Sequence, residues 1–418
     1  MTTSADAAKP SIIPFDAVIV GAGMVGTALA GLLAEAGMQV ALVEAKPSPL
    51  CLQDVAYGVP APRVSALTPV SQRLLTHLGA WPAMEAARVT PYRYMEVWDA
   101  EGSGQIRFSA DEAGTAALGH IVENEVTLAA LSEQVAKQPT LSRLDGVRVE
   151  ALQTTARGRW LVLDDGRQLQ TPLLVAADGA RSALRALAGI PVAEESMAQE
   201  AVVTTVRCTH PHGGTARQAF LGGRPLAFLP LTVRGDDRYC SIVWSTTPEH
   251  AEALTEHSPE ALGKALGEAL DHRLGEVVPV DRAYRFPLIQ RHAQRYVEPH
   301  FALVGDAAHS LHPLAGQGVN LGFMDAAVLA EEVVGAWRRG APWGNVTTLS
   351  RFERRRRFDN ATMLGLMKGF KQLFGSQQPV LTLARNVGMS GMNKFVPLKR
   401  LVMRQATGER GRLPVSCR

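Results

Sequence analysis

Six residues, Gly21-Ala22-Gly23-Met24-Val25-Gly26, restrict the fold of this chain more than any other stretch. They follow an apolar run, Phe15–Val20 (FDAVIV), that reads as a buried strand. A helix is expected from about Met24 to Ala36, closed by Gly37, with a second strand over Gln39–Val43 that ends at Glu44. Glycines at this spacing between strand and helix permit a tight turn and let the backbone approach a pyrophosphate, which the helix N-terminus also attracts. An acid at the end of the second strand can accept hydrogen bonds from ribose hydroxyls. Strand, glycines, helix and acid together predict an α/β, Rossmann-like dinucleotide-binding unit.

Two later stretches have related patterns. Leu173–Ala177 reads as a buried strand that stops at Asp178-Gly179, before a short helix with Arg185. Asp178 is placed for a polar ligand contact, and Arg181 and Arg185 are candidates for meeting a pyrophosphate. Phe301–Val304 is another apolar run, stopped by Gly305-Asp306 and followed by a loop with Pro313, Gly316 and Gly318. A helix is expected from near Gly322 to about Trp337. Asp306 sits where a strand end offers a carboxylate to a ribitol or ribose hydroxyl. A second clamp so far from the first suits FAD, which is longer than NAD, and no second GxGxxG suggests a separate nicotinamide domain.

Between these motifs the pattern changes. Tyr92–Trp98 and Gln105–Phe108 read as a hairpin, and Ala201–Val206, Ala216–Leu221, Leu226–Pro230 and Arg238–Trp244 as a mostly antiparallel sheet. Phe220, Phe228, Leu229 and Pro230 are candidates either for a pocket beneath it or for its core. The division predicted is a discontinuous cofactor domain (12–90, 115–190, 290–345), an inserted sheet domain (91–114, 191–289) and a helical C-terminal region (346–418). That last region is basic and amphipathic. From residue 351 onward there are fifteen Lys and Arg against three Asp and Glu, although the whole chain carries only +3. The run Arg354–Arg357 reads as a solvated helix face. Membrane-surface attachment and packing onto the body are both open for this region.

The four cysteines have no metal-ligand spacing, so a reducing compartment is expected, and no metal. Met1–Pro10 lacks a signal-peptide pattern, and no apolar run is long enough to span a membrane. A cytoplasmic protein, peripheral to the inner membrane, follows as an expectation. Nucleic acid is not expected as a partner.

The string GDAAHSLHPLAGQGVNLGFMD, with the two earlier motifs in order, resembles the para-hydroxybenzoate hydroxylase-like class A flavoprotein monooxygenases. Within them it looks most like the ubiquinone-biosynthesis FAD-dependent hydroxylases, as do IVEN at 121–124 and the ending ARNVGMSGMNKFVPLKRLVMRQATG. The resemblance implies FAD, NAD(P)H as co-substrate, O2, and hydroxylation of a polyprenylated phenol through a C4a-hydroperoxyflavin. By the same resemblance the FAD ligands would be Gly21, Ala22, Gly23, Met24, Val25, Gly26, Glu44, Arg63, Asn124, Asp178, Gly305, Asp306, Gly316, Gly318, Val319 and Asn320. Pro313, Gly316, Gln317 and His309 would neighbour the flavin, and no catalytic residue is assigned. A homo-oligomer or a biosynthetic complex is compatible with this picture. So are two other functions, a flavin monooxygenase of soluble aromatics in catabolism or secondary metabolism, and a non-catalytic FAD-binding scaffold.

Overall fold

The computed structural model describes residues 12–47, 51–310, 318–375, 399, 403, 407–409 and 411–418. Pro313, Gly316 and Gln317, and most of the expected amphipathic C-terminal run, lie outside them.

A six-stranded sheet has the order Val297–Glu298, Phe301–Leu303, Leu174–Ala176, Ala17–Val20, Val40–Glu44, Leu141–Asp145. The last five strands are all parallel. The runs Ala17–Ile19, Leu174–Ala176 and Phe301–Leu303 are wholly buried, as parallel strands covered on both faces must be. Helices Met24–Glu35, Asn124–Val135 and Gly318–Arg338 share one apolar core with them. The three motifs follow three adjacent parallel strands, so Gly305, Asp178 and Gly21 stand side by side at one edge of the sheet. Ligands of open parallel sheets bind at this carboxyl edge.

A nine-stranded, mostly antiparallel sheet is built on one long strand, Val192–Cys208, which pairs with Asp236–Thr246 and Tyr284–Ala293. A bulge between Ser196 and Glu200 bends it, with Ala198 at φ 50°. Helices Pro248–Glu256 and Pro259–Ala269, capped by the Thr247 and Ser258 hydroxyls, cover its back through Ala251, Leu254, Leu262 and Leu266. His309–Ser310, directly after the Gly305-Asp306 turn, pairs with Arg291 and His292 of this sheet. The turn is thereby stitched to both sheets. A three-stranded sheet, Val64–Leu67, Gly119–Glu123 and Thr90–Tyr92, lies between them. Its first strand precedes the helix Pro69–His77.

The helix Val346–Gly375 packs against Gly318–Arg338. Its arginine run is not a uniformly solvated face. Arg354 and Arg357 are exposed, Arg355 pairs with Glu331 at 2.6 Å and Glu332 at 2.8 Å, and Arg356 is buried. Helical period explains this, because Leu349, Phe352, Arg356, Asn360 and Met363 recur every three or four residues on the buried face. Further along, Lys399 is buried against Glu112 at 2.7 Å, and Met403 joins Ala110 and Leu118. Arg73 Nε donates to the Cys417 carbonyl at 2.8 Å. The described end of the chain is therefore docked on the body. Among the described residues no helix is long and apolar enough to cross a membrane.

Candidate active site

The glycine turn is shaped by contacts that leave no room for a side chain. Gly21 has φ +105°, and a Cβ there would lie 2.3 Å from the Ala177 carbonyl oxygen. A Cβ on Gly26 would lie 1.9 Å from the Gly21 carbonyl oxygen. These two glycines let the turn, the helix start and the Asp178 strand close on one another. Gly23 differs. It is exposed, its φ of −69° suits any residue, and a Cβ there would meet nothing within 4 Å. The space in front of it, at the N-terminus of Met24–Glu35, suits a phosphate.

Glu44 faces the same space. Its Oε2 accepts from the Ala22 N–H at 2.7 Å and its Oε1 from the Lys46 N–H at 3.0 Å, which leaves acceptor capacity on both oxygens for hydroxyl donors. Asp178 Oδ2 accepts from the Leu184 N–H at 3.2 Å, while Oδ1 is buried with no hydrogen-bond partner. A buried carboxylate oxygen without a donor is costly unless a ligand supplies one. Together these groups fit a dinucleotide with hydroxyl and phosphate functions.

Asp306 is exposed just after the strand Phe301–Leu303. The protein mass around it raises its carboxyl above the ordinary range, against the lowering effect of His309, Arg63 and Arg291. Arg63 is exposed, with its guanidinium 5.7 Å from the Phe286 ring centroid and near enough for its charge to act on Asp306. Asn124 is the first residue of its helix, not its N-cap, and its Oδ1 accepts from the Ser65 hydroxyl at 2.6 Å. Gly318 and Val319 begin the helix that continues to Arg338, half-buried.

Three side chains expected near the cofactor make their contacts with protein. The Asn320 side chain is buried and committed to protein, accepting from the Thr68 N–H (3.0 Å) and Ser71 hydroxyl (2.7 Å) and donating to the Ala66 carbonyl (2.8 Å). It ties the helix start to the 66–71 segment. Arg185 is likewise turned inward, donating to the Ala307 and Ala180 carbonyls at 2.8 and 3.1 Å. It braces two motifs and does not reach out to a phosphate. His309, expected beside the flavin, is 1% exposed, with Nε2 2.6 Å from Asp325 Oδ2.

Asp325 itself was not foreseen. Its Oδ2 also accepts from the Gly305 N–H at 3.0 Å. Its Oδ1 accepts from Arg356 Nε at 2.7 Å and Asn360 Nδ2 at 3.2 Å. Burial alone would raise the Asp325 carboxyl, but the charges and hydrogen bonds of His309 and Arg356 outweigh it and bring it down to about 2. The available signal was an acid within the apolar helix sequence GFMDAAVLA.

Between the three-stranded and nine-stranded sheets lies an apolar pocket. Val64, Ala66 and Ile121 form one wall, and Pro225, Ala227, Leu229 and Val243 another. Its polar lining groups are Arg217, Gln218, Ser245 and Tyr92, whose phenol burial pushes up to about 12 and so keeps neutral. Of the four candidates from sequence only Leu229 lines it. Side chains alternate along Arg224–Val233, so Pro225, Ala227 and Leu229 face the pocket while Leu226 and Phe228 face the core.

Comparison with known proteins matches the family described as FAD binding domain over residues 15–358. The 3-demethoxyubiquinol 3-hydroxylase of Escherichia coli K12 is 38% identical over 397 residues, 94% of this chain and 99% of that protein. The ubiquinone hydroxylase UbiL of Rhodospirillum rubrum is 35% identical, with 94% of this chain and 89% of that protein covered. Among solved structures, p-nitrophenol 4-monooxygenase PnpA of Pseudomonas putida DLL-E4 superposes with a TM-score of 0.76 at 19% identity, covering 96% of this chain and 100% of that one.

Proposed function

This chain belongs to the FAD-binding monooxygenase family of those ubiquinone-pathway hydroxylases, and from that premise we propose that it hydroxylates the ring of a polyprenylated phenol, using FAD, NAD(P)H and O2. The observation that carries the substrate class is the apolar pocket between the two sheets, with its few polar groups. Bound FAD would take up a hydride from NAD(P)H and activate O2 for transfer to the ring. The chain's own residues bind, orient and exclude water. Gly23 and the helix start behind it would hold the pyrophosphate, together with Arg63. Glu44, Asp178 and Asp306 would accept from hydroxyls of the ribose and ribitol. Gln218, Ser245 and Tyr92 are the groups we assign to orienting a phenolic oxygen, and the aliphatic walls keep water from the ring.

On this reading the six-stranded sheet with its helices is the FAD unit and the nine-stranded sheet the substrate unit. We also place the enzyme on the cytoplasmic face of a membrane, because a polyprenyl chain partitions into lipid. The exposed Arg354 and Arg357 support contact with anionic headgroups, whereas Lys399 and Arg356 are spent inside the protein. Deleting the gene in its host and analysing quinone lipids by mass spectrometry tests the assignment. Loss of ubiquinone with accumulation of a prenylated phenol one oxygen short is expected. Unchanged ubiquinone and no new intermediate, in a host with no second hydroxylase, would exclude it.

A further inference from the structure

A single buried carboxylate joins the Asp306 turn to the long C-terminal helix. Asp325 Oδ2 holds both ends of the turn, through the Gly305 N–H at 3.0 Å and His309 Nε2 at 2.6 Å, with Asp306 between them. Asp325 Oδ1 is held by Arg356 Nε at 2.7 Å and Asn360 Nδ2 at 3.2 Å, both on Val346–Gly375. Arg356 further donates to the Leu321 carbonyl at 3.3 Å and to Asn360 Oδ1 at 2.8 Å. Asn360 Nδ2 also lies 3.4 Å from the Tyr296 hydroxyl, which meets His292 at 2.9 Å. Asp325, His309, Arg356 and Asn360 are each at most 3% exposed.

We propose that Asp325, Arg356 and Asn360 are positioning residues for the cofactor, so that the placement of the Val346–Gly375 helix sets the geometry in which Asp306 meets FAD. The proposal rests on reading Asp306 as an FAD ligand. Its physical basis is the division of labour within one carboxylate. A buried ion pair brings little net stability over an apolar pair of the same volume, so stability alone does not account for one here. What this pair supplies is direction. Each Asp325 oxygen has its own donors, so a shift of Arg356 or Asn360 rotates the carboxylate and loosens Gly305 and His309 together. Because both residues lie on the helix leading into the C-terminal region, the docking of that region would be felt at the FAD site.

The test uses the full-length protein stripped of FAD, with Asn360→Leu, Arg356→Met and Arg356→Lys. Asn360→Leu removes the donor to Asp325 while keeping the same number and branching of side-chain heavy atoms. The first readout is hydrogen exchange in the apo-protein. The amides of 305–310 should exchange at least tenfold faster in Asn360→Leu, with the paired strands Val192–Cys208 and Asp236–Thr246 unchanged. The second is FAD titration by flavin fluorescence, where the dissociation constant should rise about tenfold, with Arg356→Lys recovering part of what Arg356→Met loses. If Arg356→Met does not fold, Asn360→Leu decides alone. A folded Asn360→Leu with wild-type exchange at 305–310 and wild-type FAD affinity would overturn the proposal. If the wild-type chain takes up no FAD, the reading of the site fails, and the exchange readout still decides whether Asn360 holds the turn.

Discussion

Gly23 and Gly26 stand three residues apart in one turn, yet the geometry predicts opposite outcomes for the same methyl group. In Gly23→Ala the new Cβ meets no protein atom within 4 Å, and the φ of −69° is one alanine adopts freely. The lost N-cap preference and the reduced freedom of the unfolded chain offset each other, leaving apo-protein stability within about 1 kcal/mol of wild type. The same methyl projects into the space in front of the helix N-terminus, where it would push a phosphate away from the backbone N–H groups. Losing one charge-assisted hydrogen bond costs about 1.5–3 kcal/mol, which is roughly ten- to a hundredfold in the FAD dissociation constant. In Gly26→Ala the Cβ falls 1.9 Å from the Gly21 carbonyl oxygen, and that oxygen is backbone held by the sheet. Overpacking of this kind costs about 3 kcal/mol, the upper end of the usual range. The assay is a denaturant midpoint on the apo-protein followed by FAD titration of the same sample. Gly23→Ala should keep the midpoint and lose affinity, and Gly26→Ala should lose both. A Gly23→Ala protein that binds FAD like wild type would refute the placement of the pyrophosphate against Gly23.

Further outcomes follow from the same geometry. Asp178→Asn keeps an oxygen for the Leu184 N–H but puts an amide where the orphaned acceptor sits, so FAD affinity should fall about tenfold while apo-protein stability holds, as titration and thermal melting would show. Asp325 is ionised in the folded protein down to about 2, below its unfolded value of about 3.9. Its contribution, on the order of 2 kcal/mol, is thus fully present above pH 4 and lost as pH falls from there through about 2. Urea unfolding between pH 5 and 2 should be steeper in pH for wild type than for Asp325→Asn. Ala227→Phe fills one wall of the pocket and is not among the residues assigned to FAD, so FAD should still bind while the KM for a prenylated phenol rises or NAD(P)H oxidation runs without product. Product chromatography alongside NAD(P)H consumption separates those two.

Much of the cofactor side was legible because its determinants are local. A strand, a glycine turn and a helix lie within Ala17–Glu35, and Glu44 returns within one βαβ unit, so periodicity and turn chemistry suffice. The fates of Asn320, Arg185 and His309 were not legible, because their partners are distant. Asn320 meets residues 66–71, Arg185 meets Ala307, and His309 meets an acid whose other donors come from Arg356 and Asn360. A run of four arginines looks uniform in sequence, and only the 3.6-residue period together with a packed neighbour decides which one is buried. The same holds for the pocket, where strand alternation could sort Leu229 from Phe228 only once the facing sheet was known.

On the proposed function, this chain uses FAD to place an oxygen atom from O2 on a phenolic ring. The most direct test supplies the FAD-loaded enzyme with NAD(P)H, ¹⁸O2 and a short-chain prenylated phenol, and weighs the product by mass spectrometry. A ring-hydroxylated product carrying one ¹⁸O, formed in step with NAD(P)H oxidation, is expected. A hydroxylated product whose oxygen comes from water, or a series of prenylated phenols that bind and are never hydroxylated, would contradict it.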